Sequence, residues 1–117
     1  MKYYLIGTMA LTLLFQGCGS GSSDATDNNT TTPVVSLENG AKLYSACSAC
    51  HGDQGETSAF GQTAVIADMS VETIREYLAQ YRDGTLDQYG NGPLMTGIVS
   101  DYSDQNISDV AAYIDTF

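Results

Sequence analysis

The sequence predicts an all-α fold, and three observations carry that prediction. Apolar residues recur at helical spacing in three places, each run opens on a serine or aspartate able to cap a helix, and no stretch alternates as a strand does. A length of 117 residues allows one domain at most. The first helix is expected behind Ser36, with Leu37, Ala41, Tyr44 and Cys47 along one face. Gly40 inside it lowers helix propensity by about 1 kcal/mol, which points to another backbone or an aromatic ring packed closely there. The second helix starts behind Ser70, places Glu72 near the positive end of its dipole, aligns Val71, Ile74, Leu78 and Tyr81, and stops at Gly84. A Gly/Pro loop, Gly90-Asn91-Gly92-Pro93-Leu94-Met95-Thr96-Gly97, leads on from it. The third helix runs from Ser103 or Asp104, with Ile107, Val110, Ala111 and Ile114 at i, i+3, i+4 and i+7.

The residues ahead of the first helix divide in two. Met1 and Lys2 give a short positive start, and Tyr3 to Phe15 is an uncharged apolar stretch of 13 residues, too short to span a bilayer and suited to an export signal. Gly17 and Cys18 at its end resemble the lipobox of bacterial lipoproteins, in which the cysteine is lipidated and becomes the new N-terminus. Phe15 and Gln16 stand where that pattern usually has an aliphatic and a small residue. Residues 1–17 are thus expected to be a signal peptide, with an ordinary cleaved secretory signal as the alternative. Residues 18–34 follow as the lipidated Cys18 and a Gly/Ser/Thr/Asn/Asp tether, unable to bury enough to fold and reaching roughly 20–25 Å. Asn29 and Asn106 each lie two residues after an aspartate and two before a Thr or Ser, a pattern similar to an acidic glycosylation sequon that polar low-complexity sequence also produces by composition.

Residues 35–117 must supply the fold, and a core of that size is marginal unless something staples it. With Cys18 carrying lipid, Cys47 and Cys50 are the remaining pair, in Cys47-Ser48-Ala49-Cys50-His51, and His51 is the only histidine of the chain. A histidine directly after a CxxC fits c-type haem attachment. Two thiols with two residues between them span the two vinyl groups of the porphyrin, and the next residue then lies under the iron with its imidazole as axial ligand. Three other readings remain open. They are a zinc site completed by carboxylates, a redox CxxC of the thioredoxin type, and a disulfide closing a very small loop.

The order of helix, Cys47-Ser48-Ala49-Cys50-His51-Gly52, middle helix, Gly/Pro loop with methionine, and closing helix ending Ser108-Asp109-Val110-Ala111-Ala112-Tyr113-Ile114 resembles the class I c-type cytochromes, over essentially all of residues 35–117. The resemblance implies the cytochrome c fold, three main helices around one covalently bound haem c and its iron. It implies that the first and last helices cross with Gly40 against Tyr113. It also implies that the distal methionine is in the Gly/Pro loop, hence Met95; Met69, before an N-cap, reads as a filler of an irregular core gap. Family members often carry a proline soon after CxxCH whose carbonyl holds the axial histidine. No proline occurs here between His51 and Pro93, so the acceptor for the His51 ring N–H is expected from a carbonyl in the 58–66 segment. Arg82 or Arg75 is a candidate for a haem propionate, with Tyr77, Tyr81 or Tyr89 adding a hydrogen bond; a helix-surface ion pair is the competing use of either arginine.

Fourteen acidic residues against four basic ones give a formal net charge of −10. Such a surface has too few cations to displace counterions from DNA or RNA, which excludes nucleic acid as a partner. Nothing resembles a phosphate loop or a nucleophile beside a base. The expected function is a one-electron carrier with His51/Met95 ligation, lipid-anchored on the extracytoplasmic (periplasmic) side of a bacterial membrane and steered to redox partners with a basic docking patch. The alternatives are a cytochrome subunit of a larger dehydrogenase or reductase complex, and a five-coordinate haem sensor or peroxidase.

Overall fold

A computed structural model describes residues 34–117. The expected signal peptide, Cys18, most of the tether and Asn29 therefore lie outside the described residues. Within them the chain is helical, with no strand, in the order α1 (Leu37–Tyr44), α2 (Ser48–His51), α3 (Val71–Arg82), α4 (Gly92–Val99) and α5 (Asp104–Ile114), and two 3₁₀ turns at Ala59–Gly61 and Ile66–Asp68. The three serines cap as their positions predict: Ser36 Oγ accepts from Asn39 N–H, Ser70 Oγ from Thr73 N–H and Ser103 Oγ from Asn106 N–H.

α5 packs on α1 and on α3, and α3 also meets α4. The core is Tyr44, Ile74, Leu78, Val99, Ile107, Val110, Ala111 and Ile114, which includes all four apolar residues assigned to the last helix. α1 departs from its predicted face. Leu37 is 49 % exposed, and the buried side is Gly40 and Tyr44, flanked by Leu43 and Cys47. Close approach of α5 causes the rotation: a Cβ built on Gly40 would clash with the Asp109 carbonyl oxygen and lie 2.7 Å from Tyr113 Cβ. The glycine is there because a backbone is there.

The helix at Gly92–Val99 is a correction to the sequence reading, which made residues 90–97 a loop. Pro93 at the start of α4 needs no N–H partner and is preset for helical φ. Leu94, Met95, Ile98 and Val99 then fall on one side, with Val99 fully buried. Glycine and proline here mark a helix start rather than a loop.

Asp109 was not singled out by sequence and proves to be structural. It is 2 % exposed, and its carboxylate accepts from Ser36 N–H (2.9 Å), Asn39 Nδ2 (2.8 Å) and Gln105 Nε2 (2.7 Å). Burial would push its pKa up, but these donors together hold it below the ordinary carboxylate range. Gln105 Nε2 also donates to the Val34 carbonyl (3.0 Å), so α5 fixes the point where the N-terminal segment enters the domain. Asn106 lies in the first turn of α5 and accepts from Asn39 Nδ2, and Ser108 is buried, a setting unlike the surface loop a glycan acceptor requires.

Candidate functional site

α1 ends at Tyr44, and one turn later α2 carries the Cys47–His51 motif. Tyr44 anchors the junction: its hydroxyl, under a nearly buried ring, donates to the Gly52 carbonyl at 2.6 Å. After His51 the chain turns back through Thr57 N–H to the His51 carbonyl (2.9 Å) and Ala67 N–H to the Gly55 carbonyl (3.1 Å). Gly55 is required there, with φ at +69° and Ile66 Cγ1 only 2.9 Å from where a Cβ would stand.

The motif forms one wall of a cavity of about 1070 Å³, counting the solvent in its mouth. Cys47, Cys50 and His51 line it from α2 and the preceding turn, Ile74, Tyr77, Leu78 and Tyr81 from α3, and Met95, Ile98 and Val99 from α4. Val110 and Ile114 of α5 close the floor. Among the residues lining the cavity there is no aspartate, glutamate, lysine or arginine.

The polar groups at that wall are set by burial. His51 has its pKa pushed down by desolvation, which favours the neutral imidazole, the form that ligates a metal. Burial, with a smaller contribution from Cys50, raises the Cys47 thiol to about 11. A redox CxxC needs the opposite shift, toward thiolate, so the thioredoxin-like reading loses its chemistry. The zinc reading loses its ligands: among the described residues no group of three His, Cys, Asp or Glu side chains is placed to hold a metal ion.

The structure brings Cys47, Cys50, His51 and Met95 to one cavity, and Met69 lines it too while packing against the core. Tyr77, Tyr81 and Tyr89 are also at its walls. Arg82 is not among the lining residues. Its Nη1 donates to Asp104 (2.7 Å) and to the Tyr102 carbonyl (3.3 Å), and its Nε to Asp83 (3.2 Å). The expected acceptor for the His51 ring N–H is likewise missing. Nδ1 is buried without a hydrogen-bond partner, and the carbonyls of Ser58, Ala59, Thr63, Ala64, Val65 and Ile66 accept from nearby amides and hydroxyls instead.

Sequence reasoning missed Phe60, Asn91, Leu94 and Tyr102 as lining residues. Tyr102 carried a signal, as an aromatic at N′ ahead of Ser103 with Ile107 at N4, the spacing of a hydrophobic staple. Phe60 carried none. It is the only non-glycine with positive φ (55°) among the described residues and stands 62 % exposed at the cavity.

An apolar cavity lined by two thiols, a neutral imidazole and a thioether fits a haem. The family model for cytochrome c matches residues 37–117. The chain belongs to the cytochrome c family. Its all-helical architecture is the cytochrome c fold, and its cofactor is haem c, bound covalently through Cys47 and Cys50 of the CxxCH motif with His51. The chain is 34 % identical over 74 residues to cytochrome c-553 of Helicobacter pylori, covering 63 % of this chain and 73 % of that protein. It is 32 % identical over 77 residues to cytochrome c-553 of Nitratidesulfovibrio vulgaris, covering 64 % and 72 %. Cytochrome c-554(548) of Halomonas halodenitrificans is 35 % identical over 80 residues, covering 63 % and 87 %. This cytochrome is a monohaem electron carrier.

Proposed function

We propose that this cytochrome is a six-coordinate carrier, in which His51 and Met95 are the axial ligands and the protein shuttles single electrons without catalysing a reaction of its own. The observation that carries the reading is the meeting of Cys47, Cys50, His51 and Met95 at one cavity free of charged side chains. Bound there, haem c supplies reversible one-electron chemistry. The residues keep rearrangement small: α2 holds the imidazole beside the two thioether links, α4 presents the sulfur of Met95, and Ile74, Leu78, Val99 and Val110 exclude water. A thioether favours the ferrous state and raises the potential.

Reduced protein mixed with carbon monoxide should keep its Soret band, while a Met95→Ala variant should bind the gas at once, lose the sulfur-to-iron charge-transfer band when ferric, and titrate at lower potential. Prompt binding by the unsubstituted protein would mean an open iron and favour a sensor or peroxidase.

The acidic surface supports partners that present a basic patch around their electron port, with an association rate that falls as salt is added. The apolar stretch from Tyr3 to Phe15, followed closely by Gly17-Cys18, supports a lipid anchor on the extracytoplasmic side. A Cys18→Ser substitution should move the protein from the membrane to the soluble fraction; retention on membranes would refute the anchor.

A further inference from the structure

α4 carries Met95, and it is held differently from its neighbours. α1, α3 and α5 each open on a serine hydroxyl that accepts from an amide of the first turn, whereas Asn91, ahead of α4, makes no such bond. Two ties to the preceding segment take its place. At the first turn, Gly92 N–H donates to the Asp87 carboxylate at 2.8 Å, and the glycine is packed so closely that a Cβ would collide with the Leu86 carbonyl oxygen. One turn on, Thr96 Oγ1 donates to the Tyr81 carbonyl at 2.6 Å. That carbonyl lies in the last turn of α3. The amide that would continue the helix to it, Thr85 N–H, bonds Gln80 instead (2.9 Å), which leaves room for the hydroxyl beside Gly84 N–H (3.0 Å).

We infer that Thr96 is the positioning residue for the distal ligand: its hydroxyl, bonded to the end of α3, fixes the turn of α4 that keeps the Met95 thioether at the cavity. The inference rests on the reading of Met95 as axial ligand and goes beyond it. A methionine side chain rotates about three bonds and fills whatever space it is given, so the place of its sulfur is set by the backbone that carries it. An eight-residue helix has too few bonds of its own to hold that backbone still. Val99, fully buried, secures the far end of α4, and Gly92 secures the start. Between them Pro93, Leu94 and Gly97 are exposed, and in Gly92-Pro93-Leu94-Met95-Thr96-Gly97-Ile98-Val99 only Thr96 has a side chain able to donate a hydrogen bond. Without that hydroxyl the helix keeps both ends and loses its middle, at the residue next to the ligand.

The test follows two signals of the full-length, haem-loaded ferric protein through heating: the sulfur-to-iron charge-transfer band, and circular dichroism for the helices. Thr96→Val keeps the shape and nearly the helix propensity of threonine and removes the hydroxyl. Its band should disappear at a temperature lowered by more than the helix midpoint is lowered. Its reduced form should bind carbon monoxide roughly 2- to 10-fold faster, the weight of one hydrogen bond in the opening equilibrium. Thr96→Ser should restore both values. Thr116→Val, which removes a hydroxyl-to-carbonyl bond of the same 2.6 Å length at the exposed end of α5, should change neither. Thr96→Ala, with a better helix former and no branched side chain to misfit, should repeat the valine result.

A band as heat-resistant in both hydroxyl-free variants as in the unsubstituted protein would overturn the inference, as would a band and a helix midpoint lowered by the same amount. Met95→Leu separates this from the reading beneath it. Loss of the band in that variant upholds the ligand, so that an unresponsive Thr96 counts against the inference alone; a band retained there contradicts the ligand and the inference together.

Discussion

Substituting Cys47 and Cys50 together with alanine should yield a chain that carries no covalent chromophore and shows no cooperative unfolding transition. The haem cavity is not an appendage to a finished core. Ile74, Leu78, Val99, Val110 and Ile114 belong both to the core and to the cavity wall. Exposing a side chain of this kind costs about 1.5–3 kcal/mol, so five of them together match the roughly 5–15 kcal/mol by which a domain is stable at all. Circular dichroism followed through heating checks this. A sharp transition in the double variant, near the temperature of the unsubstituted protein, would show that the helices pack without the cofactor.

The second large effect lies at the crossing of α1 and α5. Gly40→Ala should destabilise the domain by about 1–3 kcal/mol, even though alanine improves helix propensity by about 1 kcal/mol. The added methyl meets the Asp109 carbonyl oxygen, which is backbone and cannot swing aside, and Tyr113 Cβ at 2.7 Å. The helices must part, and the Asp109 bonds to Ser36 and Asn39 part with them. Gly97→Ala is the matched control: Gly97 lies inside α4 with open space where its Cβ would stand, so the same change there should stabilise by about 0.5–1 kcal/mol. Thermal midpoints of the two variants should move in opposite directions. If both rose, Gly40 would be a weakness of the helix and not its contact.

What the sequence disclosed and what it withheld follow from how local each signal is. α3 and α5 were legible because cap, dipole and apolar period agree within a dozen residues, from Ser70 to Leu78 and from Ser103 to Ile114. The attachment motif was legible because its chemistry needs five consecutive residues. The cost of Gly40 was visible locally, and the resemblance paired it with Tyr113, but the rotation of α1 was not visible, since it depends on the Asp109 backbone some 70 residues away. In α4, Pro93 and two glycines masked an apolar period that the fold then uses. The ion-pair partner of Arg82, Asp104, lies 22 residues on, and only the packing of α3 beside α5 brings it within reach. The expected His51 acceptor in the 58–66 segment is absent, since Nδ1 has no partner there.

The most direct measurement is the intact mass of the purified, denatured protein made in a host able to attach haem c, with the peptide carrying residues 47–51 isolated by digestion. The polypeptide should be heavier by one haem and its iron, and the added mass should travel with that peptide. A bare polypeptide mass, with both thiols free to alkylate, would contradict the covalent haem on which every electron-transfer statement above depends.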